Sequence, residues 1–156
     1  MELKKGDTAP DFKLFNTEKQ EIQLSDYRGK NLIIHFFPMA FTGVCTTQLC
    51  SVRDGIHHYK NDRCDVVAIS VDSLFSLSKF KSDQNLPFEL LSDFNKEVCR
   101  SYGAFIENFA FGMKGVAQRA AFVIDKDGKI AWAQVLPSPG ELPDFKAIDA
   151  VLNELS

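Results

Sequence analysis

The sequence predicts an α/β fold, a mixed central β-sheet flanked by helices, and three features carry that prediction. NLIIHFFP (31–38) and CDVVAISV (64–71) are continuous apolar runs with the length and β-branched content of buried central strands. Helical segments follow each of them, the alternating order that builds a parallel sheet. Downstream, AQRAAFVID and KIAWAQV flank an Asp127-Gly128 dipeptide, the pattern of an antiparallel hairpin.

Taken in order, Asp11 to Phe15 and Glu21 to Leu24 read as two short strands around the polar turn NTEKQ. SDYRGK follows as a turn or short helix. Gly43 to roughly Lys60 lacks proline and is expected to form one helix. SLFSLSKFKSDQN is a second helix, with Leu74, Leu77 and Phe80 at helical spacing. PFELLSD is a short strand, and NKEVCRSYG a helix closed by Gly103. Ala117 to Asp125 forms the first arm of the hairpin. The last helix starts near Pro143 and carries Phe145, Ile148, Val151, Leu152 and Leu155 on one stripe.

At 156 residues the chain suits one domain, 1–156, with a core that needs no disulfide or metal staple. The 14 phenylalanines run through its whole length, as one continuous core requires. A net charge of −3 offers no broad basic field, which argues against nucleic acid or an anionic membrane surface as partner. No apolar run reaches the length of a membrane span. The opening MELKKGDTAPDF has no hydrophobic signal core, so the expected location is cytoplasmic. Cys45, Cys50, Cys64 and Cys99 are too few and too unevenly spaced for a disulfide framework. C-x-x-C is absent, which weighs against a zinc site and against a thioredoxin-type dithiol. No metal and no cofactor are expected.

The stretch FFPMAFTGVCTTQLC (36–50) lies at the carboxyl end of its strand, where ligands gather in sheets of this kind. Pro38 ends the strand and restricts Phe37 to extended geometry. Thr42 is a suitable N-cap for the helix that follows. Cys45 then falls in the first turn, where unpaired N–H groups and the positive end of the helix dipole favour an anion. The thiolate is the nucleophilic form of cysteine, so this is a place for a reactive sulfur. The bland reading of Cys45 is a small apolar thiol packed beneath the strand. Cys50 sits about 140° further around the same helix. A disulfide needs Cα atoms within about 7 Å, so a Cys45–Cys50 bridge demands that the first turns unwind.

P-M-A-F-T-G-V-C matches the P-x-x-x-T-x-x-C motif, and the chain resembles the peroxiredoxins. GDTAPDFKL, VVAISVDS, LLSDFNKEVCRSYG and RAAFVIDKDGKI are similar to the corresponding parts of that family, so the resemblance covers nearly the whole chain. C-T-T-Q-L-C-S-V-R-D resembles the bacterioferritin comigratory protein (PrxQ) branch, and FFPMAFTGVC the AhpE branch. The resemblance implies a thioredoxin-like fold and a thiol-dependent peroxidase acting on hydrogen peroxide, organic hydroperoxides or peroxynitrite. It also implies thioredoxin or a similar dithiol as reductant, and a monomer or homodimer. Carried over residue by residue, Cys45 would be the peroxidatic cysteine and would pass through a sulfenic acid. Thr42 would hold thiolate and peroxide through its hydroxyl, and Pro38 would shield Cys45 from water. Arg119 would supply the guanidinium near the sulfur. Without the resemblance, Arg119 reads as a strand-end surface arginine. The resolving cysteine would be Cys50 or, in a later helix, Cys99, with Cys50 favoured because C-x-x-x-x-C is intact; some relatives have none and use an external thiol. One departure is Gln48, where many peroxiredoxins carry glutamate.

Of the remaining residues, His35 reads as a satisfied core histidine and Cys64 as packing. Phe41, Phe109 and Phe111 are candidates for an apolar mouth, and FIENFAFGMKG for a subunit interface. Competing functions are a thiol–disulfide oxidoreductase, disfavoured by the missing C-x-x-C, and a redox-sensing module that passes a disulfide to a protein partner.

Overall fold

Two mostly apolar, buried strands make the centre of the sheet, and the rest of the chain is arranged around them. A computed structural model describes residues 2–138 and 140–155, apart from the side chain of His58. The first half of the chain runs β1 (Lys13–Asn16), β2 (Glu21–Gln23), a 3₁₀ turn (Leu24–Tyr27), β3 (Asn31–Phe36), α1 (Gly43–Asp54), α2 (Ile56–Tyr59) and β4 (Cys64–Ser70). The second half runs α3 (Leu74–Gln84), β5 (Glu89–Ser92), α4 (Glu97–Ser101), β6 (Phe105–Asn108), β7 (Lys114–Ala117), β8 (Ala120–Ile124), β9 (Ile130–Val135) and α5 (Phe145–Leu155).

The main sheet has the order β2-β1-β5-β4-β3-β8-β9. β4 pairs in parallel with β3 and with β5, whereas β1, β8 and β9 join antiparallel. This is the mixed sheet the sequence predicts. Side chains alternate across β3, so the sheet has two apolar faces. Leu32, Ile34 and Phe36 face a core that includes Val98, Cys99, Tyr102 and Phe122. Ile33 and Phe37 face the other, against Cys45, Leu49, Leu77, Phe80 and Ile148. α1, α3 and α5 therefore cover one face and α4 the other. The α5 stripe packs there as expected, with Phe145, Val151, Leu152 and Leu155 beside buried Ile148.

The hairpin turn also forms as expected. Gly128 adopts φ +84°, a conformation that disfavours side chains, and Asp125 Oδ1 accepts the N–H groups of Asp127 and Lys129. Gly103, at φ +68°, follows α4. Three expectations need correction. The helix predicted over Gly43–Lys60 breaks at Gly55, whose φ −102° and ψ 20° end α1 before α2 begins. Glycine suits the break because a Cβ there would lie 3.2 Å from the Tyr59 ring. Ala117–Asp125 is not one strand but the end of β7 and all of β8, with Gln118 and Arg119 between. Gln118 N donates to Ala104 O beside the small sheet, whereas Arg119 O accepts from Leu136 N after β9. The chain thus changes sheets between these two residues. Finally, β6 and β7 form a separate antiparallel pair that the sequence reading did not anticipate, since its half-exposed residues lack clear alternation. Among the described residues no helix is long and apolar enough to cross a membrane.

Phe80 is fully buried and its ring meets both Phe37, at 6.2 Å, and Phe41, at 5.1 Å. Phe80→Ala is expected to lower the unfolding free energy by about 3–5 kcal/mol, read from urea denaturation midpoints. A loss under about 1 kcal/mol would show that α3 does not brace the loop after β3.

Candidate active site

The turn from β3 into α1 is held from three sides. Phe37 N donates to Ile69 O, extending the β3–β4 ladder to the last residue before buried Pro38. Ala40 N donates to Asp72 Oδ2 at 2.8 Å, and Ser70 Oγ donates to the same oxygen at 2.7 Å. The carboxylate after β4 therefore anchors the loop after β3. Phe41 takes φ +69°, a strained conformation for a bulky residue, and its ring packs edge-on against Phe80.

Thr42 occupies the N-cap of α1 with extended φ −96° and ψ 154°. Its hydroxyl does not cap the helix: it donates to Met39 O at 2.8 Å and closes the loop on itself. The first bond of α1 runs from Thr46 N to Thr42 O at 2.9 Å. Helix geometry leaves the N–H groups of Gly43, Val44 and Cys45 without an intrahelical acceptor. Cys45 stands at the third helical position, 1% exposed.

Arg119 arrives from the β7–β8 break, 74 positions away in the chain. Its Nη2 donates to Cys45 Sγ at 3.3 Å, and its Nη1 donates to Gln48 Oε1 at 2.7 Å. Gln48 and Arg119 are 0% and 2% exposed. Because the Gln48 oxygen receives Arg119, its amide nitrogen is the donor toward His35 Nδ1, 3.0 Å away. Nδ1 is then the acceptor, and the neutral ring carries its proton on Nε2. Burial pushes the His35 pKa down to about 4, in keeping with a neutral imidazole. The structure thus joins Cys45, Arg119, Gln48 and His35 in one buried chain of contacts. The sequence marks His35 as a satisfied core histidine, as found, but not as a link to Cys45 and Arg119. The available signal was its parity with Ile33 and Phe37, which turns it toward α1.

The other thiols lie in different settings. Cys50 is half-buried, with Sγ 3.4 Å from Gln84 Oε1 at the end of α3. Nearby, Arg53 Nη1 donates to Gln84 O at 2.7 Å. All four cysteines are free, and α1 is unbroken from Cys45 to Cys50. Cys99 belongs to the apolar core on the opposite face of the sheet from Cys45. Burial, aided by the Asp93 carboxylate, pushes its thiol up to about 12. Burial does the same to Cys64, reinforced by Asp65. Phe41 rests on Phe80, whereas Phe111, at the tip of the β6–β7 pair, is 97% exposed. Among the described residues no cluster of three His, Cys, Asp or Glu side chains could hold a metal. A cleft of about 560 Å³ lined by Phe12, Phe15, Leu74, Asp93 and Phe94 contains none of the four connected residues.

The AhpC/TSA family model matches residues 5–133. Peroxiredoxin Bcp of Escherichia coli strain K12 is 38% identical over 130 residues, covering 82% of this chain and 83% of that protein. Alkyl hydroperoxide reductase E of Mycobacterium tuberculosis is 39% identical over 145 residues, 91% of each chain. The crystal structure of a peroxiredoxin-like protein from Aquifex aeolicus superposes with a TM-score of 0.89 at 29% identity, covering 100% of this chain and 90% of that one.

Two outcomes follow from the buried titrating groups. His35 binds its proton near pH 4 when folded and near 6.5 when unfolded, so the unfolded chain takes up the extra proton between those values. Its contribution to stability is complete above pH 6.5 and falls toward pH 4 by up to about 1.4 kcal/mol per pH unit. Urea titrations at pH 7 and pH 5 should show that slope, and His35→Leu should lose it. Separately, iodoacetamide at pH 8 should leave Cys64 and Cys99 unmodified in the folded protein and label both in urea, as peptide mass mapping would reveal. Labelling of either in the folded state would contradict its burial.

Proposed function

The chain belongs to the AhpC/TSA family and is a peroxiredoxin, a thiol-dependent peroxidase of thioredoxin-like fold, and we propose that Cys45 is its peroxidatic cysteine. The observation that carries this assignment is the Arg119 guanidinium donating to Cys45 Sγ at 3.3 Å, in the first turn of α1. Guanidinium and helix terminus both favour negative charge at that point.

In the proposed reaction the Cys45 thiolate attacks the terminal oxygen of a hydroperoxide. An S–O bond forms as the O–O bond breaks, sulfur is oxidised to the sulfenic acid, and the departing oxyanion takes a proton to leave as water or alcohol. Arg119 lies where charge passes from sulfur to the departing oxygen and stabilises it there. Gln48 holds the second arm of the guanidinium. Pro38, buried at the end of β3, limits water at the sulfur. Thr42 keeps the loop closed through Met39 O, and its oxygen retains lone pairs to accept from a bound hydroperoxide.

Cys50 is the proposed resolving cysteine. Its thiolate attacks the sulfenic sulfur, forming the disulfide and expelling the oxygen as water. Resolution needs α1 to open, which releases the Cys50 and Arg53 contacts to Gln84. Cys99 is the less favoured partner, because the sheet lies between it and Cys45. Thioredoxin or a similar dithiol then restores both thiols by exchange. Hydrogen peroxide and organic hydroperoxides are the proposed substrates, the cytoplasm the proposed location, and a monomer or homodimer the proposed assembly.

One equivalent of hydrogen peroxide added to the reduced protein, followed by peptide mass mapping, tests the scheme. A Cys45–Cys50 linkage is expected, and Cys50→Ser should stop at sulfenic acid on Cys45. Cys45→Ser should abolish peroxide consumption. Arg119→Met should slow Cys45 oxidation by about 10²–10³-fold, the loss typical of one preorganised donor. Cys45 remaining a thiol while peroxide persists would refute the assignment.

A further inference from the structure

We infer that His35 is a positioning residue for Cys45 oxidation: its Nδ1 holds the Gln48 amide in the orientation that receives Arg119, and so aims the guanidinium at the sulfur. The inference rests on the roles proposed above for Cys45 and Arg119.

An amide has an acceptor end and a donor end, and in a buried site it matters which faces the guanidinium. Turned over, Gln48 would present its NH₂ to the Arg119 N–H groups, donor against donor, with both desolvated. Arg119 would then have to shift away from Gln48, and its second arm would leave Cys45 Sγ, which it now meets at 3.3 Å. An unprotonated Nδ1 at 3.0 Å forbids the inverted amide, because Oε1 would face a lone pair. Burial supports this by keeping the ring neutral at the pH of the reaction.

The fold makes room for such a ring. On the strands flanking β3, the residues in register with His35 are Ala68 and Ala121, both small and fully buried. The Phe145 ring of α5 lies 5.9 Å from the imidazole. His35 is itself only 2% exposed. An apolar side chain would fill this space as well, but it would leave a buried amide proton on Gln48 without a partner. The polar residue within the apolar run of β3 therefore has a directional task. It decides which end of a neighbouring amide meets the catalytic arginine.

The test compares His35→Leu with His35→Asn, whose Oδ1 stands where Nδ1 stands in histidine. The rate constant for Cys45 oxidation by hydrogen peroxide is read by stopped-flow fluorescence, with urea unfolding run in parallel. Leucine should slow oxidation on the order of tenfold, and asparagine should return it to within about threefold of the parent, a misplacement effect restored by geometry. Parental speed in a folded leucine variant, or asparagine no faster than leucine, would overturn the inference. A second measurement needs no substitution. Two-dimensional ¹H–¹⁵N correlation of the histidine ring in the reduced parent protein should show Nε2 protonated and Nδ1 an acceptor at pH 7. A proton on Nδ1 would overturn the inference even if His35→Leu failed to fold. Parent protein whose Cys45 ignores peroxide would overturn the peroxidase assignment and this inference together. Parent oxidation with an unaffected leucine variant would overturn the inference alone.

Discussion

A positive charge buried in the protein interior is the constraint around which the rest of the site is organised. The Arg119 guanidinium is almost fully shielded from water, and a desolvated cation is tolerated only where acceptors meet its N–H groups. Cys45 Sγ and Gln48 Oε1 are two such acceptors, both on α1. Their spacing of three residues places them on neighbouring parts of one helical surface. The same requirement reaches backward to His35, which receives the far end of the Gln48 amide. A buried sulfur, a neutral glutamine and a strand histidine are therefore answers to one electrostatic demand. Were Gln48 a glutamate, two opposite charges would share the site. Here the amide leaves the guanidinium with its full charge beside the sulfur.

Holding that charge still depends on backbone features outside the chain of contacts. Arg119 lies where the chain leaves the small sheet for the large one, its carbonyl fixed by Leu136 N and the preceding amide by Ala104 O. Cys45 is fixed from the other side by the loop after β3, with Asp72 bonded to Ala40 and Phe80 supporting the left-handed Phe41. Strain at Phe41 persists because rings and carboxylate over-determine the loop. The proposed cycle needs stiffness at the oxidation step and opening at the resolution step. Both demands fall on α1, which Cys50 and Arg53 tie to Gln84 at the end of α3.

The two-faced sheet also sorts the thiols. Cys45 and Cys64 share one core and Cys99 lies in the other, and all four cysteines are free. Burial drives Cys64 and Cys99 far toward the protonated form, the less nucleophilic state of a thiol. Cys50, half-buried beside an amide oxygen, is the most exposed of the four cysteines.

Strands of continuous apolar residues, a hairpin dipeptide and an amphipathic last helix were all readable from local pattern, because periodicity and turn chemistry act over a few residues. The Pro38–Thr42–Cys45 spacing likewise defined a strand, a loop and the first turn of α1. Local pattern failed where packing decided the outcome. Gly55 breaks a helix at a point where a Cβ would crowd the Tyr59 ring, and Gln118–Arg119 divides an apparent strand because its two ends bond to different sheets. It failed again at Thr42, whose hydroxyl turned to Met39 rather than to the helix it begins. By itself, then, the sequence determined the order of elements and the position of the candidate nucleophile in its turn. Only the tertiary structure decided how the Arg119 guanidinium divides its contacts between Cys45 and Gln48, that Gln48 turns its oxygen toward the cation, and that His35 stands behind it. Those contacts join residues 13 to 74 positions apart, and their geometry follows from strand register and helix docking rather than from spacing along the chain.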